Sequence, residues 1–233
     1  MTNTSAVPTV RHRGPSLLLL AIVHIALVIA GLVSAAVLSH GARMALPYES
    51  VQAAVAYFEQ NALGIQVAAF FQFGSAIPLG IFTATIVSLL RFHGVRAAGI
   101  WIALFGGLVA PAFLILSALC GWVLASPGFT EYPGSVRALQ LLGFAAGGPG
   151  YIVPLGLLIA GVSITSHFTR LIPRWLAWFG IVLAVASELS SLTLLTWKAA
   201  LFLPIGRFVT FIWLIGVAIT LPAVSRSKRA NAS

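Results

Sequence analysis

Six long apolar runs constrain the fold of this chain more than any other feature. Each is at least as long as the roughly 20 residues that a helix needs to cross the hydrocarbon core of a bilayer. Only 7% of the residues are charged, against about 25% in a soluble domain. We therefore expect an all-α membrane protein, a six-transmembrane-helix bundle over residues 16–224. The predicted spans cover residues 16–38, 64–90, 97–125, 136–165, 175–196 and 199–224.

Two polar tails flank the predicted bundle, at residues 1–15 and 225–233. A signal peptide is the alternative for the first run, but that run exceeds the roughly 7–15 apolar residues of a signal sequence. Six crossings place both tails on one side, which carries nine Lys and Arg residues, against three on the other side. The positive-inside rule then predicts that both termini are cytoplasmic.

Residues 48–62, between the first two runs, are more polar than their neighbours. Ser50 is a suitable N-cap, and Val51, Ala54 and Phe58 recur at helical spacing. We expect a short amphipathic helix at the outer interface. A lid over a cavity is the alternative interpretation.

The fourth run contains five glycines and two prolines within residues 143–156. A helix loses about 1 kcal/mol per Gly and about 3 kcal/mol per interior Pro relative to Ala. In lipid, the freed backbone groups must find partners in neighbouring helices or in a water-filled cavity. The segment therefore belongs inside the bundle, and its irregular backbone indicates a binding site there.

The Pro-Leu-Gly of that segment, at Pro154, recurs at Pro78 and, as Pro-Ile-Gly, at Pro204. We expect the second, fourth and sixth helices all to be weakened at these positions. The recurrence also suggests three parallel two-helix hairpins related about the membrane normal. Chance is the competing explanation, because Gly and Pro are frequent in transmembrane helices.

Glu188 and Arg207 are the formal charges that this assignment places inside the hydrocarbon. Both lie roughly 14 Å below the outer turn at residues 197–198, at 1.5 Å per residue. Each alone would cost about 3 kcal/mol at the bilayer centre, and pairing would remove most of that cost. The pair is interpreted as a structural ion pair, as part of a ligand site, or as a proton relay.

A ligand pocket in the outer half would be lined by helices two, four, five and six. Its glutamines have an alternative role as interhelical hydrogen-bonding groups, worth about 0.6 kcal/mol each. The predicted ligand-binding residues are Glu188, Arg207, Gln72, Gln140, Tyr151 and Ser191.

No metal or cofactor is predicted, and three histidines are the candidates if a metal or haem were bound. His24 is near mid-span and lacks a second histidine at its depth, whereas His93 and His167 share the inner level. Hydrogen-bonded or interfacial histidines are the alternative. Catalysis is not favoured, because the spans contain one carboxylate and no phosphate-binding loop.

The segment Leu171-Ile-Pro-Arg-Trp-Leu-Ala-Trp-Phe-Gly180 enters the fifth run. This segment, the polar outer helix and Trp213-Leu214 resemble a large family of small bacterial six-helix membrane proteins, catalogued as a domain of unknown function. The resemblance covers roughly residues 16–222. It implies a six-helix bundle in a bacterial inner membrane and no particular substrate. The family often has an acidic residue where this chain has Arg207.

Three functions remain open at this stage. The first is binding of a small molecule or lipid in the outer-half pocket. The second is a small transporter or channel, and the third is an accessory or assembly subunit of a membrane complex, packed through small residues such as Gly161. The expected partners are membrane lipids and a second copy or another membrane protein. Nucleic acid is not expected, because the basic residues are scattered singly between apolar runs.

Overall fold

The computed structural model describes residues 9–221 and 224–226, and most of these residues are helical. The helices are α1 Leu17–Leu38, α2 Val51–Gln60, α3 Ala62–Phe92, α4 Gly99–Leu124, α5 Pro133–Ala145, α6 Tyr151–Thr169, α7 Arg174–Leu189, α8 Phe202–Pro204 and α9 Thr210–Thr220. Short 3₁₀ turns lie at Phe129–Glu131, Ser190–Leu194 and Trp197–Leu201, and π-helical turns lie at Ala146–Gly150 and Ile205–Val209.

Six helical segments among the described residues are long and apolar enough to cross a bilayer. This confirms the predicted all-α, six-span bundle, and the protein is an integral, multi-pass membrane protein. The crossings, numbered in chain order, are Leu17–Leu38, Ala62–Phe92, Gly99–Leu124, Pro133–Thr169, Arg174–Leu194 and Trp197–Thr220.

The first and last described segments meet at one end of the bundle. The strand β1, Thr9–Arg11, pairs antiparallel with β2, Val224–Arg226. We call this end, with the turns at residues 93–98 and 170–173, the terminal end. The opposite end, with residues 39–50, 125–132 and 195–196, is the loop end. The remainder of the predicted tails, residues 1–8 and 227–233, lies outside the described residues.

Helix α2 lies at the loop end, where the sequence predicts an amphipathic helix. The Ser50 hydroxyl accepts a hydrogen bond from the Ala53 amide at 3.2 Å and caps the helix. Ala54 and Phe58 are buried against Leu124 of α4 and Val136 of α5. The apolar face of α2 therefore covers the loop end of the bundle.

Two of the three helices that the sequence marks as weakened are interrupted. The fourth crossing breaks at Gly148, whose backbone angles of φ −90° and ψ −111° are non-helical. The sixth crossing forms a π-helical turn just after Pro204. The second crossing is not interrupted, because α3 runs through Pro78. One turn before Pro78, His24 Nδ1 of α1 donates to the Ser75 carbonyl at 2.8 Å and links the two helices.

The terminal half of the bundle is closely packed through glycines. A Cβ atom on Gly161 would lie 2.7 Å from the backbone nitrogen of Ala103, so α4 and α6 touch backbone to backbone. Trp213 is fully buried and donates from Nε1 to the Ser163 hydroxyl at 3.0 Å. The large side chains buried in this half include Leu79, Phe82, Ile86, Leu90, Ile100, Leu158 and Ile159.

Exposed tryptophans mark both ends of the crossings, as expected of residues that anchor at the two membrane interfaces. Trp101, Trp175 and Trp178 lie toward the terminal end, and Trp122 and Trp197 toward the loop end.

Candidate functional site

A cavity of about 460 Å³ opens between the crossings in the loop half of the bundle. Residues of α1, α2, α3, α4 and α5 form its wall, together with the π-helical turn at Ala146–Gly150 and residues 203–208 of the sixth crossing. Most lining side chains are apolar, for example Ile65, Leu124 and Leu203. The sequence predicts a pocket beside the glycine-rich break, and the structure has a cavity at that place.

Residues 44–47 line the cavity from the loop end, and α5 holds this segment in place. Arg137 donates from Nη1 to the Pro47 carbonyl at 2.7 Å and from Nη2 to the Glu49 carbonyl. Gln140, the next residue on that face of α5, donates to the Ala45 carbonyl at 2.8 Å. We call residues 42–50 the roof loop, because these bonds fix it over the cavity.

A second set of contacts stiffens the roof loop from within. The Glu49 carboxylate accepts from the Leu46 amide at 3.0 Å and forms an ion pair with Arg43. The Leu46 hydrogen bond, and then the hydrogen bond from Arg43, hold the pKa of Glu49 below its ordinary value of 4.5. The loop is therefore tied by an ionised carboxylate at neutral pH.

The break in the fourth crossing shapes one wall of the cavity. At Gly148 the backbone leaves the helical conformation, and Gly147 and Gly148 both line the cavity. On α4, Ser117 donates to the Gly143 carbonyl at 2.9 Å. Gln72 donates to the Leu114 carbonyl at 3.3 Å and links α3 to α4. Polar groups that would be costly against lipid thus find partners inside the bundle.

Arg207 is the only charged side chain among the described residues that line the cavity. It lies on the π-helical turn Ile205–Val209, within the sixth crossing. Its Nη2 donates to the Gly147 carbonyl, and its guanidinium carbon lies 5.5 Å from the centre of the Tyr151 ring. The break thus supplies both the carbonyl and the aromatic face that hold the guanidinium.

The structure brings together four of the six predicted binding residues. Gln72, Gln140 and Arg207 line the cavity, and Tyr151 lies buried against Arg207. Glu188 and Ser191 do not reach it: both line a separate groove of about 440 Å³ between α6 and α7.

The predicted ion pair between Glu188 and Arg207 is wrong. Among the described residues, the ion pair that forms is between Arg43 and Glu49. Ser187 faces the sixth crossing, where a Cβ atom on Gly206 would lie 3.2 Å from its hydroxyl. Glu188 lies against α6 instead, where a Cβ atom on Gly156 would be 3.3 Å from its Oε1. The fifth crossing, which the sequence places in the pocket wall, contributes no residue to the described lining of the cavity.

The predicted binding residues omit residues 44–47, Tyr57 and Ser117, which line the cavity, although a lid over a cavity was the alternative interpretation of the segment that contains Tyr57. Ser117 carried a usable signal, because it is a hydroxyl in the middle of an apolar run. Residues 44–47 carry no such signal in the sequence, because their position over the cavity depends on hydrogen bonds from α5, which is distant in sequence.

The three histidines named as metal candidates have other surroundings. His24 is buried against Phe211, with Nε2 lacking a hydrogen-bond partner. His167 packs against Trp178, and His93 packs against Phe92. Within the described part of the chain, no three His, Cys, Asp or Glu side chains lie close enough together to hold a metal ion.

Fold and cavity together define a multi-pass membrane protein with a mostly apolar cavity at the loop end. The chain matches no protein-family model, no curated protein and no solved structure.

Proposed function

We propose that this protein binds a small molecule or lipid in the cavity at the loop end. The observation that carries the proposal is the cavity itself, whose volume of about 460 Å³ falls within the roughly 300–1,000 Å³ of ligand sites. Its lining also has the composition of such sites, an apolar wall with a few fixed polar groups. Gln72, Gln140 and Arg207 supply those groups.

The proposed ligand is amphiphilic. Apolar side chains of α3, α4 and the sixth crossing would bury an apolar body, while the guanidinium of Arg207 would bind a polar head. Membrane lipids and molecules dissolved in the bilayer are the available compounds with that character. They are therefore the partners that we propose first.

The proposed orientation places the loop end outside the cell and both termini in the cytoplasm, in a cell inner membrane. The excess of Lys and Arg at the terminal end, nine against three, supports this orientation. The pairing of β1 with β2 agrees with an even number of crossings. The resemblance to the family of small bacterial six-helix proteins supports a bacterial membrane.

Packing in the terminal half favours binding over transport. A transported molecule would have to pass from the cavity between helices whose backbones touch, as α4 and α6 do at Gly99 and Gly161. Binding at the loop end requires no such path. We therefore place transport, and an accessory role without a ligand, behind ligand binding.

Filling the cavity tests the proposal. A Cβ atom on Gly121 would have its nearest neighbours at 3.8–3.9 Å, on Ala69 and Ile65, so Gly121→Phe would place a ring in the cavity. Gly134→Phe is the matched control, because a Cβ atom there meets nothing within 4 Å and Gly134 lies outside the cavity.

Native mass spectrometry of the protein, extracted in mild detergent, measures what co-purifies. We expect a bound small molecule or lipid on the wild type and on Gly134→Phe, and its loss from Gly121→Phe. The same bound mass on all three proteins, or no bound mass on the wild type, would contradict the proposal.

A further inference from the structure

The charge of Arg207 lacks a countercharge. The guanidinium lies within a membrane crossing, yet the described residues form their ion pair elsewhere, between Arg43 and Glu49. The one carboxylate within the described crossings, Glu188, lines the separate groove between α6 and α7. A single charge at the centre of a bilayer costs about 3 kcal/mol or more.

Neutral groups hold Arg207 without neutralising it. A carbonyl, that of Gly147, accepts from Nη2, and the Tyr151 ring lies beside the guanidinium. A guanidinium has five N–H donors in one plane, and the other donors of Arg207 have no hydrogen-bond acceptor among the described residues. The side chain lines the cavity, so these donors are available to a molecule inside it.

The geometry suits one kind of head group. Two parallel N–H donors of a guanidinium match the two oxygens of a carboxylate or phosphate, and such charge-assisted pairs are about twice as strong as neutral hydrogen bonds. The described cavity lining contains no Asp or Glu that would repel an anion. The polar side chains of Gln72 and Ser117 lie in the same wall.

We propose that the ligand of this cavity is an anionic amphiphile, whose carboxylate or phosphate head is bound by Arg207 and whose apolar body fills the space toward Ile65 and Leu124. This inference rests on the proposed function and adds the charge of the ligand. The anion would come from a free single-chain carboxylate or from an anionic phospholipid, since both present the same pair of oxygens.

Equilibrium binding of matched probes tests the charge. The full chain, in nanodiscs of phosphatidylcholine, is titrated with radiolabelled dodecanoate, dodecanol or dodecylamine, and empty nanodiscs give the background from partition. We expect dodecanoate to bind at least about tenfold more tightly than dodecanol, and dodecylamine to bind most weakly, in line with one charge-assisted pair.

Two substitutions at Arg207 separate charge from shape. Arg207→Gln removes the charge and should reduce the affinity for dodecanoate about tenfold and the affinity for dodecanol by much less. Arg207→Lys keeps the charge without the planar pair of donors and should retain part of the preference. Equal binding of dodecanoate and dodecanol, unchanged by Arg207→Gln, would overturn the anionic head and leave the binding function intact.

Gly121→Phe shows whether the proposed function itself fails. Probe binding that exceeds the background but is unaffected by Gly121→Phe would contradict the cavity as the site and overturn both proposals. If no probe binds above background, both proposals are also overturned.

Nanodiscs containing phosphatidylglycerol identify the source of the anion. If phosphatidylglycerol displaces dodecanoate from the wild type, an anionic phospholipid occupies the site. If it does not, the ligand is a free carboxylate.

Discussion

A glycine that closes the terminal half of the bundle and two glycines that border the cavity in the loop half serve opposite purposes. In the terminal half, Gly161 lets two helices touch, so that no space remains for even one added methyl group. In the loop half, Gly121 and Gly148 border a cavity, and an added Cβ atom would meet only side-chain atoms at 3.3 Å or more. Glycine content alone therefore does not distinguish a closed interface from a binding site.

Helix continuity also differs between the halves. Helix α3 runs through Pro78, which is buried in the packed core. The fourth crossing breaks at Gly148, and the sixth crossing changes to a π-helical turn, both beside the cavity. Backbone groups released by these irregularities need partners in a membrane, and the Gly147 carbonyl obtains one in Arg207. The broken helices thus contribute directly to the site.

The largest effect that we expect is on stability in the terminal half. Gly161→Ala would force a Cβ atom against Ala103, at 2.7 Å from its backbone nitrogen, and the helices would have to separate. Overpacking of this kind costs about 1–3 kcal/mol, and we expect the upper part of that range. Unfolding of the detergent-solubilised protein in a denaturing surfactant measures the change in free energy.

The matched control is Gly74→Ala, because the nearest atom to the added Cβ, on Leu27, would be 3.9 Å away. With no clash at position 74, the higher helix propensity of Ala over Gly should raise the free energy of unfolding by up to about 1 kcal/mol. A loss of stability from Gly74→Ala as large as that from Gly161→Ala would contradict the contrast between the two positions.

Filling the cavity should affect ligand binding more than folding. We expect Gly121→Phe to leave the free energy of unfolding within about 1 kcal/mol of the wild type, because its side chain enters existing space. The same variant should lose the bound ligand. If Gly121→Phe lowers the free energy of unfolding of the ligand-free protein by several kcal/mol, the loop half is as tightly packed as the terminal half, and the contrast is contradicted.

Releasing the roof loop should change the rate of ligand exchange. Arg137→Met removes the donors to the Pro47 and Glu49 carbonyls, which costs about 1–3 kcal/mol locally. We expect faster hydrogen exchange in residues 42–50 and faster release of bound dodecanoate. Arg174→Met, an exposed arginine at the terminal end, is the control and should change neither rate.

The smallest effect concerns Glu49 and depends on pH. Because the pKa of Glu49 is lowered in the folded protein, the carboxylate stabilises the roof loop above pH 4.5, and that contribution is lost as pH falls through the lowered pKa. At neutral pH, Glu49→Gln should speed exchange of the Leu46 amide. The difference from the wild type should close as pH falls below 4.5, and a constant difference would contradict this assignment.

The sequence predicts the crossings well because hydropathy and length determine them independently of how the helices face one another. It also predicts the N-cap at Ser50 and a break in the glycine-rich segment, since both depend on local chemistry. Counting residues also places Glu188 and Arg207 within the fifth and sixth crossings, where the structure has them. Their suggested pairing depended on rotation about the helix axes, which residue counting does not determine.

Long-range contacts account for the rest of what the sequence did not predict. Residues 44–47 become part of the cavity only through bonds from α5, about 90 residues later in the chain. The continuity of α3 at Pro78 likewise accompanies a hydrogen bond to Ser75 from His24 in another helix. The three-hairpin repeat and the family resemblance stay predictions.

Photoaffinity labelling tests the central claim most directly. A dodecanoate analogue with a diazirine on its chain, bound to the full-length protein in nanodiscs and irradiated, marks the residues beside its apolar body. We expect adducts on cavity residues such as Ile65, Gly121 and Leu124, and their loss on adding unlabelled dodecanoate or introducing Arg207→Gln. Adducts confined to exposed positions such as Phe105 and Phe168, without competition, would contradict a binding site at the loop end.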